Sequence, residues 1–120
     1  MTSRFIPARG DVIWINMNPQ AGHEQAGRRP ALVVSPKSYN AKVGLALLCP
    51  ITSRAKGYAF EVSIPDGLPA QGVILADQIR NVDWHARKAT FMGRLPRPVV
   101  RDTLAKLGTL VRFEEGMESD

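Results

Sequence analysis

A chain of 120 residues is long enough to enclose one hydrophobic core and too short for two, and it holds no run near the ~20 apolar residues that a membrane helix requires. Its single cysteine, Cys49, excludes an intrachain disulfide, and nothing in its apolar surroundings marks it as more than a buried thiol. The net charge of +5 is unevenly spread: residues 114–120 hold four acids and no base, so residues 1–113 carry 16 bases against 7 acids, a net +9 that points toward a polyanionic partner or, more plainly, toward simple solubility.

The opening Met-Thr-Ser-Arg-Phe-Ile-Pro has no apolar signal core, so a cytoplasmic protein with no membrane association is expected. Val12-Ile13-Trp14-Ile15 reads as a first strand, with Trp14 in the core. A polar loop from Asn16 to His23 follows. Further runs of strand length and β-branched or aromatic character are Ala31 to Ser35, Leu45 to Ile51, Phe60 to Ile64, Val73 to Ile79 and Thr90 to Leu95. A second polar loop, Thr52 to Tyr58, succeeds the third of them. Several short strands at close spacing predict a mainly β barrel or sandwich. Trp84, between charged neighbours, is expected in a loop or an interface.

The last structured segment changes period. Val100, Leu104, Leu107 and Val111 recur at spacings of 4, 3 and 4, with Pro98 just ahead and Asp102 and Lys106 as an i,i+4 pair, which predicts a C-terminal helix covering the barrel. The acidic stretch after Phe113 has too little apolar content to pack. The expected organisation is one domain over residues 1–113 and a mobile acidic tail over 114–120.

Several chemistries fall away. His23 and His85 are far apart, Cys49 is alone and no acids cluster, so neither a metal nor a cofactor is expected. There is no Gly-x-x-x-x-Gly-Lys-Ser/Thr phosphate loop and no Gly-x-Ser-x-Gly elbow. What remains is polar chemistry on a phosphodiester. RNA carries its own nucleophile in the 2′-hydroxyl. An enzyme must then move two protons and place positive charge where the phosphorane becomes negative. Arg29 can supply that charge and Thr52 a hydrogen bond to a non-bridging oxygen, while Glu24 serves as base or holds Arg29. The bland readings are a structural Glu24–Arg29 ion pair and a turn-capping Thr52. His23 and His85 read as surface residues. The basic stretch from Arg80 to Arg101 is a solvated face or an RNA-tracking surface.

Glu24-Gln25-Ala26-Gly27-Arg28-Arg29-Pro30, running into Val33-Val34-Ser35-Pro36, resembles the MazF/PemK-type toxins, small ribonucleases of bacterial toxin–antitoxin systems. Gly10-Asp11-Val12-Ile13-Trp14, Cys49-Pro50-Ile51-Thr52-Ser53, Lys56-Gly57-Tyr58, Phe60-Glu61-Val62 and Gly72 to Arg80 resemble further segments of that family in the same order. The resemblance implies a small SH3-like barrel with a C-terminal helix, acting as a homodimer on single-stranded RNA without metal. It implies a MazE-like antitoxin whose acidic tail occupies the RNA groove, and contact with DNA through that antitoxin. Arg29, Thr52 and Glu24 fall on positions credited with activity. Asn16, Met17, Gln25, Gly27, Arg28, Ser53, Lys56, Gln78, Arg80 and Arg87 are the expected RNA contacts. Asn16 and Met17 stand where relatives often carry an acid and an aromatic, and His85 where arginine occurs. The rival readings are a non-catalytic toxin of the CcdB kind that binds gyrase, and a plain RNA-binding barrel.

Overall fold

β1 (Asp11–Asn16) reads as an almost unbroken apolar run because three of its side chains, Val12, Ile13 and Ile15, are fully buried on two different faces. In the computed structural model, which describes residues 5–17 and 27–113, β1 is flanked antiparallel by β2 (Arg28–Val33) and β7 (Thr90–Arg94). β2 pairs with β3 (Ala46–Thr52), and β3 branches. Its first half, Ala46 to Leu48, pairs with β6 (Arg80–Val82), while Ile51 and Thr52 pair with β5 (Val73–Leu75), which carries β4 (Glu61–Ser63) at its far side. Among the described residues seven strands pair antiparallel, in the order β4-β5-β3-β2-β1-β7 with β6 on β3.

The curl of this sheet brings its two ends together without a hydrogen-bonded ladder between β4 and β7. Gly93 on β7 lies so close to Pro69, in the β4–β5 connection, that a Cβ there would stand 2.5 Å from two ring carbons. The fold is the expected mainly β, barrel-like sheet with a C-terminal helix, its seam held by packing. A register shift between Val12 and Ile13 adds the local twist of a β-bulge on the β7 side.

Two apolar clusters lie on opposite faces of the central strands. One gathers Val12, Leu32, Cys49, Ile51 and Ile74 under Val99 and Val100 of the C-terminal helix; the other gathers Ile13, Ile15, Val33, Leu48, Val82 and Trp84. That helix (Arg97–Val111) takes Pro98 into its first turn, where it was expected just ahead, and its stripe ends early: Val100 and Leu107 are buried, while Val111 is 72% exposed. Thr103 is buried in its place, its hydroxyl donating to the Val99 carbonyl at 2.9 Å. No helix among the described residues is long and apolar enough to cross a membrane.

Trp14 differs from its expected core position, while Trp84 lies in a loop, as expected, yet is buried there. Trp14 is 38% exposed, on the one position of the β1 run that faces outward, whereas Trp84 is 6% exposed. The charged neighbours of Trp84 stay at the surface while its ring fills the second cluster and its Nε1 donates to the Asn40 carbonyl at 3.1 Å.

A short helix unannounced by any apolar stripe, α1 (Lys37–Val43), follows Pro36 and ends on Gly44 in the left-handed conformation; the C-terminal helix is α2. What holds α1 is Asn40, which is fully buried. Its Nδ2 donates to the Pro7 carbonyl at 2.7 Å and the Ser35 carbonyl at 3.1 Å, and its Oδ1 accepts from the Ser35 hydroxyl. The Ser35 Oγ in turn accepts from the Leu47 N–H at 2.9 Å. Asn40→Ala strands several buried polar groups at once and is expected to lower stability by about 2–4 kcal/mol, read as a shift of the urea midpoint at unchanged slope.

Candidate functional site

Register builds the site. The β2–β3 ladder closes at Ala31 opposite Pro50, and just beyond its end the two strands carry Arg29 and Thr52 to the same side of the sheet's edge, where they meet one groove. Both line a groove of about 660 Å³, together with Met17, Ser53, Gln78 and Arg80. Arg29 is exposed, with Nη1 donating to the Arg28 carbonyl at 2.9 Å.

Thr52 is half-buried and fixed from two sides. It pairs with Val73 in the ladder. Gly72, at φ +108°, presses so near that a Cβ there would sit 2.1 Å from the Thr52 carbonyl oxygen. The Thr52 hydroxyl does cap a local turn, accepting the Arg54 N–H at 3.1 Å. Accepting there leaves the hydroxyl proton available for a second partner, so the capping role and a donor role are compatible.

A second arm of about 290 Å³ continues from the first, sharing Thr52, Arg54 and Gln78 and adding Lys56, Tyr58 and Glu61. The Tyr58 hydroxyl donates to Asp77 Oδ1 at 2.7 Å, and this bond to a carboxylate is the main reason the phenol titrates above its ordinary range. Arg29, Arg54, Lys56 and Arg80 thus border one continuous depression, a positive surface of the size a nucleic-acid strand occupies.

The other expected contacts have different surroundings. Arg28, one residue from Arg29 on a strand, points to the opposite side: its guanidinium donates to the Lys88 carbonyl at 3.1 Å and to Thr90 Oγ1 at 2.9 Å. Arg87 donates to the Met17 carbonyl at 3.3 Å, which also accepts from Arg80 at 3.4 Å. Asn16 ends β1, and Gly27 is buried at the neck of the same loop, its carbonyl accepting the Met17 N–H at 2.8 Å. The structure therefore unites Arg29, Thr52, Met17, Ser53, Lys56, Gln78 and Arg80 along the groove, and sets Arg28, Arg87, Asn16 and Gly27 around the loop neck. His85 is exposed in a separate depression beside Gly44. Glu24, Gln25 and His23 lie outside the described residues.

Arg54, Tyr58, Glu61 and Gln71 line the groove without having been singled out. Two of them, Tyr58 and Glu61, stand in segments that resembled the family, but spacing alone assigns them no task. Cys49 is fully buried on β3, and burial, with a smaller contribution from the charge of Asp77, pushes its thiol up to about 12. Among the described residues no group of three or more His, Cys, Asp or Glu side chains could hold a metal ion.

A sequence model of the PemK-like, MazF-like toxins of type II toxin–antitoxin systems matches residues 8–111. The endoribonuclease toxin MazF of Escherichia coli strain K12 is 44% identical over 111 residues, spanning 92% of this chain and 99% of that protein. Among solved structures, MazF (Form-I) from Deinococcus radiodurans shares 50% identity at a TM-score of 0.82, covering 90% of this chain and 98% of the other. The MazE–MazF complex (Form-II) of the same bacterium gives 44% identity and a TM-score of 0.81, covering 90% and 97%.

Proposed function

The chain belongs to the PemK-like, MazF-like toxin family of type II toxin–antitoxin systems, and we propose from that membership that it is an endoribonuclease toxin cutting single-stranded RNA without a metal ion. The observation that carries the reading is that Arg29 of β2 and Thr52 of β3 line one groove, bordered by four cations.

The reaction follows from what those side chains can do. With the scissile phosphate between Arg29 and Thr52, the 2′-oxygen of the preceding ribose attacks phosphorus and loses its proton. A pentacoordinate phosphorane forms, its added negative charge met by the Arg29 guanidinium and by the Thr52 hydroxyl proton. The bond to the 5′-oxygen then breaks, and that oxygen takes up a proton. The products are a 2′,3′-cyclic phosphate, or the 3′-phosphate it hydrolyses to, and a 5′-hydroxyl. Glu24 either takes the 2′ proton or orients Arg29. Because the nucleophile is internal to the substrate, no ion is needed to generate one.

Lys56, Gln78, Arg80, Met17 and Ser53 hold the strand, and Arg28, Arg87, Asn16, Gly27 and Gln25 are its further contacts. Partners are a MazE-like antitoxin whose acidic segment competes with RNA for the cations, a second copy of this chain, and DNA reached through the antitoxin. The reading is tested by incubating the folded protein with a long single-stranded RNA in excess EDTA and mapping the ends. Discrete cuts ending in 5′-hydroxyls are expected, and intact RNA overturns the nuclease reading.

A further inference from the structure

We infer that Glu61 is a positioning residue for RNA, holding the β3–β4 loop as a preformed second arm of the groove so that Lys56 meets the nucleotide beside the one being cut; this rests on the nuclease reading above. Residues 53 to 60 contain no helix or strand and are largely exposed, the kind of segment that ordinarily moves. Here four consecutive residues are tied down. The Glu61 carboxylate accepts the Lys56 N–H on Oε2 at 2.8 Å and the Gly57 N–H on Oε1 at 2.9 Å. Tyr58 is tied through its hydroxyl to Asp77, and the Ala59 carbonyl accepts from Lys106 Nζ of α2 at 2.7 Å.

Those ties come from three places: the start of β4, the turn after β5, and the helix. Gly57, at φ +81° with open space where a Cβ would be, supplies the turn that aims both amides at one carboxylate. An acid in a groove meant for a polyanion is otherwise a liability. With each oxygen engaged by a backbone amide, Glu61 spends its charge on the loop, where charge-assisted bonds are stronger than neutral ones. A fixed backbone under Lys56 leaves less freedom to lose when its ammonium engages phosphate. The Phe60-Glu61-Val62 segment, which the catalytic roles left unexplained, thereby acquires a task.

The test uses the full chain and four forms: wild type, Glu61→Ala, Glu61→Gln and Glu61→Ala combined with Lys56→Ala, each checked for a native unfolding transition. In Glu61→Ala, KM for RNA is expected to rise about tenfold with kcat nearly unchanged, since the loss is of ground-state and transition-state binding alike. Glu61→Gln, which keeps one acceptor oxygen, falls between. Adding Lys56→Ala to Glu61→Ala costs little more, because the two act as a unit. The Lys56–Gly57 peptide bond reports on the loop without RNA: trypsin is expected to cut it about tenfold faster in Glu61→Ala than in wild type. Unchanged nicking overturns the loop-holding role. Faster nicking with unchanged KM, or full additivity with Lys56→Ala, overturns the role in RNA binding. If the wild type leaves RNA whole, the nuclease reading falls, and nicking alone still decides whether Glu61 orders the loop.

Discussion

Replacing Arg29 with alanine is expected to slow RNA cleavage about a thousandfold while weakening RNA binding less than tenfold. The asymmetry comes from where the guanidinium stands. Ground-state phosphate already carries a charge that Arg54, Lys56 and Arg80 help to neutralise along the groove. The extra charge of the phosphorane develops at one point, which the proposed reaction puts at Arg29, beside Thr52 in the same groove. Arg29 is exposed on the strand, so its loss leaves the cores intact and stability within about 0.5 kcal/mol of wild type. Arg29→Lys should recover part of the rate, since it keeps the charge and loses the planar fork. Single-turnover rates beside equilibrium binding separate the effects. A fall in binding as large as the fall in rate would instead favour a plain RNA-binding barrel.

Gly72→Ala is expected to be the most damaging small substitution outside the groove itself. The added Cβ would lie 2.1 Å from the Thr52 oxygen, 2.9 Å from its carbonyl carbon and 3.0 Å from the Ser53 Cα, all backbone atoms that cannot swing aside. Steric overlap adds to the strain of a left-handed φ of +108°, for a combined loss of about 3–5 kcal/mol, or roughly 10 °C or more in Tm. Gly44→Ala is the control: its φ is +81° but nothing lies within 4 Å, so only the strain of about 1 kcal/mol remains. Any Gly72→Ala protein that still folds must move Thr52, and its cleavage should fall further than its stability explains. A variant with wild-type melting and activity would refute the account of how Thr52 is held.

Most of the barrel was legible because its strands are buried and short, so apolar runs bounded by Gly and Pro mark them well. β6 was not, since Arg80-Asn81-Val82 buries only its valine. The run from Val73 to Ile79 breaks at Leu75, where a turn through Ala76 and Asp77 sends the chain to the other half of β3. α1 escaped because a buried asparagine, not an apolar stripe, anchors it. At the site, the residue types around Arg29 and Thr52 announced phosphodiester chemistry, but their sharing of one groove depends on how β2 and β3 lie side by side, which no local pattern encodes. Arg28 and Arg29 look equivalent on paper and part company only once strand geometry sends them to opposite faces. Glu61 is the clearest case of all, because its role depends on which backbone amides face it.

Cys49 has a consequence for chemistry of another kind. Oxidants attack the thiolate, and a thiol pushed up to about 12 by burial stays protonated at neutral pH. It lies on β3 three residues before Thr52, opposite Leu32, where a sulfenic acid would force the strand apart. Peroxide or a disulfide-forming stress should therefore leave this thiol unmodified in the native protein, so that alkylation of Cys49 reports on unfolding alone.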